Sequence, residues 1–226
     1  MARLGPAFFD QEPAELAKAL LGKVLRHRHA ERWLACRIIE TEAYYLDERG
    51  SHSSQGYTGK RRAMFMDPGT IYMYYARGGD SLNISARGEG NAVLIKSAVA
   101  YFDRKSPRDN LAIMQGLNPV KGSGKQRPEA KLCSGQTLLC AALGLKVNRW
   151  DQQPFDKQHF YIDDVGYQPE SIIQTTRLGI PEGRDEHLMY RFIDRAHAGQ
   201  CTSNPLSKRH WQEGRDYVLH AVSAAG

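Results

Sequence analysis

Hydrophobic positions near the start of the chain change from helical spacing to alternation. Residues 10–22 have Pro13 in their first turn and a glycine at their end, both typical of a helix. Their apolar side chains recur at helical spacing, at Leu16, Ala17, Leu20 and Leu21. Residues 23–29 and 33–45 flank a polar turn at residues 30–32 and are typical of strands. The pattern therefore predicts an amphipathic helix followed by an antiparallel hairpin.

Turn residues divide the next part of the chain into further strands. Pro68 and Gly69 predict a turn, after which residues 70–76 and 81–86 are predicted to form a second hairpin. Residues 91–100 form a mostly apolar run typical of a buried strand. The other predicted elements are helices near residues 111–114 and 135–144 and short strands near residues 160–162, 171–176 and 189–193.

The order of these elements predicts an α+β fold. We expect a single compact domain over residues 1–226, with a curved, mainly antiparallel, open-barrel-like β-sheet flanked by helices. The length and the hydrophobic content of 41% suffice for a substantial core. Residues 46–62 are rich in glycine, serine, aspartate and lysine, which predicts a long loop. Long loops in compact domains are often functional.

Positive charge is concentrated in a few segments. The net charge is +6 and the pI about 9.1, which suits a polyanionic partner without requiring one. Lysine and arginine cluster at residues 60–62, 121–127 and 208–209. Clustered cations favour a phosphate backbone through counterion release, although solvated loops explain any single cluster equally well.

The cysteines and the apolar runs bear on the cellular compartment. The four cysteines have no CxxC spacing, and nothing at the N-terminus resembles a secretory leader, so we expect a reduced, cytoplasmic protein, nucleoid-associated if bacterial. No apolar run approaches the roughly 20 residues that cross a bilayer, and we expect no membrane association. His27 and His29 lack a companion ligand at zinc-site spacing, so we expect no metal or cofactor.

Two carboxylates follow apolar residues on the second predicted strand. Its period of two predicts one shared face for Cys36, Ile38, Glu40, Glu42 and Tyr44. A carboxylate beside apolar side chains is partly desolvated, which raises its pKa and makes it a better general base near neutral pH. From this segment alone, a strand that emerges into solvent at Glu40 is the slightly favoured alternative.

Tyrosines on the next predicted hairpin add a second candidate feature. Tyr72 and Tyr74 share a strand face, and such stripes are usually half-buried core. Together with Tyr44 and His52 they supply several flat surfaces around an acid. An extruded nucleobase requires a pocket of this kind.

Several local sequences together resemble a known family. They occur in the following order: Phe8-Phe9-Asp10, Leu20-Leu21-Gly22-Lys23-Val24-Leu25, Ile39-Glu40-Thr41-Glu42-Ala43-Tyr44, Arg62-Ala63-Met64-Phe65, Pro68-Gly69-Thr70-Ile71-Tyr72, Leu82-Asn83-Ile84-Ser85 and Leu132-Cys133-Ser134-Gly135. The chain resembles the alkyladenine (3-methyladenine) DNA glycosylase family, which also acts on hypoxanthine. The resemblance is strong over residues 8–96, moderate through residue 145 and thin afterwards, apart from Arg177-Leu178-Gly179-Ile180 and Arg191-Phe192.

The resemblance implies roles for individual residues. It implies that Glu42 is the general base and that Tyr44 and Tyr74 stack on the two sides of a flipped base. His52 falls on a loop histidine that lines the same pocket. Asn83 matches an asparagine that excludes the exocyclic amine of undamaged guanine. Lys96 stands where the family has an arginine that helps to hold the catalytic water, and this exchange replaces a planar fork of donors with one ammonium.

The sequence departs from the family where a bulky side chain is expected to enter the duplex. The corresponding turn reads Ala76-Arg77-Gly78-Gly79-Asp80 and has no aromatic or large apolar wedge. Either Arg77 takes this role by stacking its guanidinium, or insertion is weak and strand separation relies on the instability of the lesion. We expect Arg61, Arg62 and Arg77 to contact DNA.

The function that the resemblance implies is removal of damaged purines from DNA. We expect a monomeric, monofunctional N-glycosylase that flips alkylated or deaminated purines out of double-stranded DNA and leaves an abasic site. One alternative is a non-catalytic binder of damaged or single-stranded nucleic acid, which needs stacking tyrosines but no Glu42. The other is a hydrolase of nucleosides or small glycosides that uses Glu40 and Glu42 as an acid pair.

Overall fold

The computed structural model describes residues 2–76 and 78–222. The strands are β1 (Ala2–Arg3), β2 (Val24–His29), β3 (Arg32–Tyr44), β4 (Ile71–Ala76), β5 (Gly79–Ser85), β6 (Ala92–Ala100), β7 (Phe160–Asp164), β8 (Ser171–Thr175), β9 (Arg191–Asp194) and β10 (Tyr217–Ala221). The α-helices are α1 (Pro6–Phe9), α2 (Pro13–Leu20), α3 (Asn110–Leu117), α4 (Gln136–Leu143) and α5 (Val147–Trp150). Short 3-10 helices interrupt the loops at Ser53–Gln55, Gly59–Phe65, Glu129–Lys131, Arg195–Gln200 and Pro205–Ser207.

The strand β3 organises the sheet. Its first half pairs with β2 and its second half with β9, while β6 runs along its other edge. The sheet runs in the order β1-β7-β2-β3-β6-β5-β4, and β9 continues it through β8 to β10. Every pairing between these strands is antiparallel. The predicted α+β class, with a mainly antiparallel sheet and flanking helices, is confirmed.

Helices cover one face of this sheet. The α2 side chains of Leu16, Ala17 and Leu20 are fully buried, as their helical spacing predicts. They share a core with Leu139 of α4 and with alternate residues of the strands, namely Ile71, Met73, Leu82, Ile84, Val93 and Ile95. The intervening strand residues face the other side of the sheet, where the candidate site lies.

Two strands were not predicted from the sequence. The sequence of β10, Tyr-Val-Leu-His-Ala, does not alternate apolar with polar residues, and the strand exists because β8 offers its edge. The two residues of β1 pair with β7 in the same way. The helix α3 is also longer than the four residues predicted, extending from Asn110 to Leu117.

A β-bulge in β3 overturns the predicted strand face. The register against β6 shifts between Ile38 and Thr41. Ile38 lies in the helix-side core, and beyond the bulge Ala43 lies there too, although the two positions differ in parity. The extra residue of a bulge reverses the alternation. Glu42 and Tyr44 therefore face away from Cys36 and Ile38, and the expectation of one shared face is wrong.

The carboxylate of Glu40 is fully engaged inside the protein. Glu40 and Arg191 are both completely buried, and the Arg191 Nε donates to the Glu40 Oε1 at 2.6 Å. The Thr202 hydroxyl donates to the same oxygen at 2.6 Å, and the Thr202 amide and the Ser97 hydroxyl donate to Oε2. These bonds join β3, β6, β9 and the segment after residue 200. The expectation of a solvated strand end at Glu40 is wrong.

We expect Arg191→Met to destabilise the fold strongly. The substitution leaves the Glu40 carboxylate buried without its charged partner, which typically costs about 3–5 kcal/mol. Urea unfolding measures the effect. Arg215→Met is the control, because Arg215 pairs with Asp216 at the surface and little change is expected there. Equal stability of the two variants would contradict the assignment.

A buried histidine predicts how stability depends on pH. The His27 Nδ1 donates to the Leu143 carbonyl at 2.7 Å, and burial lowers the pKa of His27 to about 4. In the unfolded chain this pKa lies near 6.5. The unfolded state then binds the extra proton between these values, so stability falls as the pH drops from about 6.5 to 4.

The expected loss of stability from His27 over this range is about 3 kcal/mol. Thermal or urea unfolding across this pH range, compared with His27→Gln, measures it. Glutamine retains an amide donor but does not titrate, so its variant should show a shallower pH dependence. Parallel profiles for the two proteins would contradict the role of His27.

Candidate active site

A cavity of about 330 Å³ lies on the sheet face opposite the helix-side core. Small-molecule pockets span roughly 300–1,000 Å³, so its size suits a compact ligand. The strands contribute Tyr44, Tyr72, Tyr74, Ala76, Asn83, Ala92, Leu94 and Lys96. The loops contribute Gly50, Ser51, His52, Gln55, Met64, Leu178, Gly179, Ile180, Pro181 and Arg184, and α4 contributes Gln136. Five of the six residues predicted for catalysis or base binding therefore line one cavity.

Glu42 lies directly behind the wall of this cavity. Its side chain is fully buried, and its Oε1 is 3.2 Å from the Lys96 Nζ. The Tyr44 hydroxyl donates to its Oε2 at 2.7 Å, and the Leu178 amide donates to Oε1 at 3.3 Å. All three partners line the cavity. The carboxylate is thus separated from the cavity only by the groups that bind it.

The charge on Glu42 is stabilised by its surroundings. Burial alone raises the pKa of Glu42, but the Lys96 charge, the Tyr44 hydroxyl, the nearby Arg191 and the Leu178 amide together outweigh it. The pKa therefore lies below its usual value, and the expectation of a raised pKa is wrong. The physical reason is that the sequence pattern shows the apolar neighbours but not the cation and donors that tertiary packing brings. Glu42 is ionised at neutral pH and can accept a proton.

A buried arginine supports Tyr44 from behind. The Arg177 guanidinium carbon lies 4.6 Å from the centre of the Tyr44 ring. Its Nη1 donates to the Glu48 Oε1 at 2.5 Å and to the Ala43 carbonyl at 3.0 Å. Glu48 also accepts from the Tyr45 amide at 2.8 Å. Sequence reasoning noted Arg177 only as part of a motif and missed Glu48, whose role depends on a partner far along the chain.

Three aromatic rings form another wall of the cavity. The His52 ring centre lies 4.5 Å from that of Tyr74, and the Tyr72 and Tyr74 centres are 5.5 Å apart. The His52 Nδ1 is 3.1 Å from the Tyr72 hydroxyl. Burial, together with the charges of Arg61 and Arg184, lowers the pKa of His52. The neutral ring is therefore favoured, so His52 adds no positive charge to this wall.

Asn83 and Lys96 occupy neighbouring strands of the cavity. The Asn83 amide nitrogen donates to the Tyr72 carbonyl at 3.2 Å, which fixes the orientation of the amide group. Asn83 pairs with Leu94 across β5 and β6, so Lys96 is two positions further along the adjacent strand. Both side chains are almost completely buried. The sequence motif alone placed Asn83 in this wall, and the structure brings Lys96 to Glu42.

The three arginines expected to contact DNA have different surroundings. Arg61 donates to the Gln55 carbonyl at 3.2 Å, the Gly56 carbonyl at 3.0 Å and the Gln55 side chain at 2.7 Å, so it holds its own loop together. Arg62 is exposed. Arg77 lies outside the described residues.

The hairpin beside Arg77 carries an exposed aromatic residue. Tyr75 is 71% exposed. Its strand neighbours Tyr74 and Ala76 line the cavity, so alternation directs Tyr75 to the other face of β4. Tyr75 is therefore not placed on the cavity side of the hairpin.

The described part of the chain has neither a metal-binding cluster nor a membrane-spanning helix. Residues 2–76 and 78–222 contain no group of three or more histidine, cysteine, aspartate or glutamate side chains able to hold a metal ion. Within the same ranges, none of the helices is long and apolar enough to span a membrane. The four cysteines are buried and free.

Comparison with known proteins identifies relatives over most of the chain. A protein of Pseudomonas syringae pv. syringae named "Putative 3-methyladenine DNA glycosylase" is 63% identical over 212 residues, covering 94% of both chains. A Pseudomonas aeruginosa protein of the same name is 60% identical over 216 residues, covering 96% of this chain and 90% of the relative. The mouse protein named "DNA-3-methyladenine glycosylase" is 34% identical over 232 residues, covering 96% of this chain and 61% of the mouse protein.

A family model gives the same result. The model described as methylpurine-DNA glycosylase (MPG) matches residues 7–198, a range that contains Glu42 and every cavity residue. The resemblance inferred from the sequence motifs is confirmed. The chain belongs to the methylpurine-DNA glycosylase family.

Proposed function

We propose that this protein is a DNA glycosylase of base-excision repair that hydrolyses the N-glycosidic bond of alkylated purines. Membership of the family and the names of its relatives support the activity. The finer proposal is that 3-methyladenine, 7-methylguanine and hypoxanthine are substrates, that one domain over residues 1–226 carries the activity, and that the product is an abasic site.

The observation that carries the mechanism is the buried carboxylate of Glu42, bound by Lys96, Tyr44 and Leu178 behind an aromatic cavity. A base that leaves the duplex enters the cavity and stacks between Tyr44 and the ring pair of His52 and Tyr74. The tyrosine faces favour a positively charged, alkylated purine electrostatically. Asn83, whose amide donates to the Tyr72 carbonyl, then excludes an exocyclic amine.

Bond cleavage then depends on charge development at the sugar. As the glycosidic bond breaks, the base departs with the bonding electrons and C1′ becomes oxocarbenium-like. The negative charge of Glu42 stabilises that centre, and the carboxylate accepts a proton from water as the water oxygen bonds to C1′. Lys96 keeps Glu42 ionised and helps to hold the water. Because Lys96 is paired with Glu42, it is not placed as a free amine nucleophile.

The DNA-binding part of the proposal uses the basic surface. The net charge of +6 favours association with phosphates, and exposed Arg62 contributes to it. Arg61 contributes its charge from a loop that it also stabilises. Arg77 remains the proposed occupant of the space that a flipped nucleotide leaves.

The structure disfavours one of the two alternative functions, the small-glycoside hydrolase, and leaves the non-catalytic binder to experiment. A small-glycoside hydrolase needs a second available carboxylate. The buried carboxylate of Glu40 is not available, because it already accepts hydrogen bonds from Arg191 and Thr202. A non-catalytic binder needs the aromatic cavity but not an ionised Glu42. Activity of a Glu42 variant therefore separates the binder from the glycosylase.

We expect Glu42→Gln to abolish most activity and to retain lesion binding. The amide cannot accept the proton from water, so the single-turnover rate should fall by about 100-fold or more. Duplexes carrying one 7-methylguanine or hypoxanthine, followed by hot alkali to cleave abasic sites, measure the rate. Unchanged product from Glu42→Gln would contradict the role of Glu42, and tight lesion binding without product from either protein would favour the binder.

We expect Lys96→Gln to move the acidic limb of the pH–rate profile to higher pH. The reaction needs ionised Glu42, so the rate falls as the pH drops through the pKa of Glu42. Lys96 lowers this pKa, and its removal raises it. Single-turnover rates between roughly pH 4 and pH 8 measure the shift.

Lys18→Gln is the matched control for this experiment. Lys18 pairs with Glu15 on α2, on the helix side of the sheet. Its removal should leave the acidic limb in place. If Lys96→Gln and Lys18→Gln have superimposable profiles, Lys96 does not set the ionisation of Glu42.

A further inference from the structure

Two loops lock together at the rim of the cavity. A Cβ atom at Gly50 would lie 3.1 Å from the Arg184 carbonyl and 3.2 Å from the Ile180 side chain, so a larger residue here would push the two loops apart by a few tenths of an ångström. The Arg49 amide donates to the Asp185 carboxylate at 2.8 Å, which links the same loops a second time. Asp185 adopts a positive φ of 60°, a conformation that this contact holds in place. Arg184 lies between Ile180 and Asp185, so it is part of a segment that these contacts restrain.

The guanidinium of Arg184 is available for binding. It lines the cavity and is half-buried, and its charge contributes to the lowered pKa of His52. Among residues 2–76 and 78–222, no side chain or carbonyl accepts a hydrogen bond from it. Arg61 is the other cation that lowers the pKa of His52. Its guanidinium donates hydrogen bonds to carbonyl and amide oxygens of its own loop. Among the described residues that line the cavity, Arg184 is thus an arginine whose guanidinium hydrogens have no partner within the protein.

We propose that Arg184 binds a phosphate adjacent to the flipped nucleotide and so holds the base in the cavity. This rests on the proposed function. A base that fills the cavity brings its own sugar to the mouth, and the flanking phosphates then lie at the rim. A guanidinium presents a planar fork of donors that matches a phosphate bidentately. The restrained loop places that fork before the DNA arrives, so little ordering is needed on binding.

The contact distinguishes a flipped nucleotide from undamaged duplex. An exposed arginine contacts any duplex, whereas Arg184 lies at the rim of the pocket and reaches a phosphate only when the nucleotide has left the helix. Its loss should therefore weaken binding to a lesion more than binding to undamaged DNA. A phosphate contact also contributes about one unit to the dependence of log K on log salt.

The test measures binding of the full chain, in the Glu42→Gln background, to duplexes with and without one hypoxanthine. Added Arg184→Gln should weaken lesion binding by roughly 10-fold, reduce the salt slope by about one, and affect undamaged duplex less. Arg184→Lys keeps the positive charge but lacks the planar fork of donors, so its affinity for the lesion should lie between those of the parent and Arg184→Gln. Arg32→Gln is the control, because Arg32 is exposed and lies ten positions from Glu42 along β3, roughly 30 Å away.

A neutral methylphosphonate then identifies the contact. It is placed in turn on the 5′ and the 3′ side of the lesion. At one of these positions the methylphosphonate should weaken binding by the protein that retains Arg184 as much as Arg184→Gln weakens binding to unmodified DNA. The methylphosphonate and the substitution together should then weaken binding no more than either alone. Additive losses at both positions would overturn the proposal, as would equal losses on lesion and undamaged duplex.

The product assay on the wild-type chain, set beside this binding test, separates the inference from the proposed function. Binding is read without catalysis, so a protein that binds lesions through Arg184 but yields no abasic site refutes only the glycosylase mechanism. If product forms normally and Arg184→Gln binds as tightly as its parent, only the phosphate contact is refuted. If the parent does not prefer the lesion, no flipped nucleotide is held and the inference is overturned.

Discussion

The buried carboxylate of Glu42 is the group on which the arrangement of the site depends. Burial of an ion costs several kcal/mol unless partners compensate for lost hydration. Here the compensation comes from separate parts of the chain: Lys96 on β6, the Tyr44 hydroxyl on β3 and the Leu178 amide in a loop more than a hundred residues later. The buried carboxylate therefore keeps its charge only when sheet and loop are both in place.

Two acids on one strand serve different purposes because their surroundings differ. Glu40 is held by Arg191 and Thr202 and joins the strands to the late segment of the chain. Glu42, two positions further, is bound by groups that line the cavity. A charge that is fully paired inside the protein stabilises structure, whereas one whose partners border a cavity can exchange a proton with what enters it.

Loops rather than strands set the dimensions of the cavity. The strands supply one wall of alternating side chains, but the close approach of Gly50 to the segment around Arg184 closes the other side. Arg177 reinforces this closure, since it backs Tyr44 and binds Glu48 in the loop that follows β3. A mobile loop would leave Tyr44 and Leu178 without fixed positions, and both of them bind Glu42.

The sequence by itself determined the α2 helix, the main hairpins and the family, because helical and strand periodicities and ordered motifs depend on neighbouring residues. The resemblance to the family also pointed to Tyr44, Tyr74 and Asn83, which line the cavity, and to Glu42 behind it. Only the tertiary structure decided which way Glu42 faces, because one bulge residue in β3 reverses the alternation. It also decided the sign of the pKa shift of Glu42 and the role of Arg177, since both depend on charges and donors that are distant in sequence and adjacent only after folding.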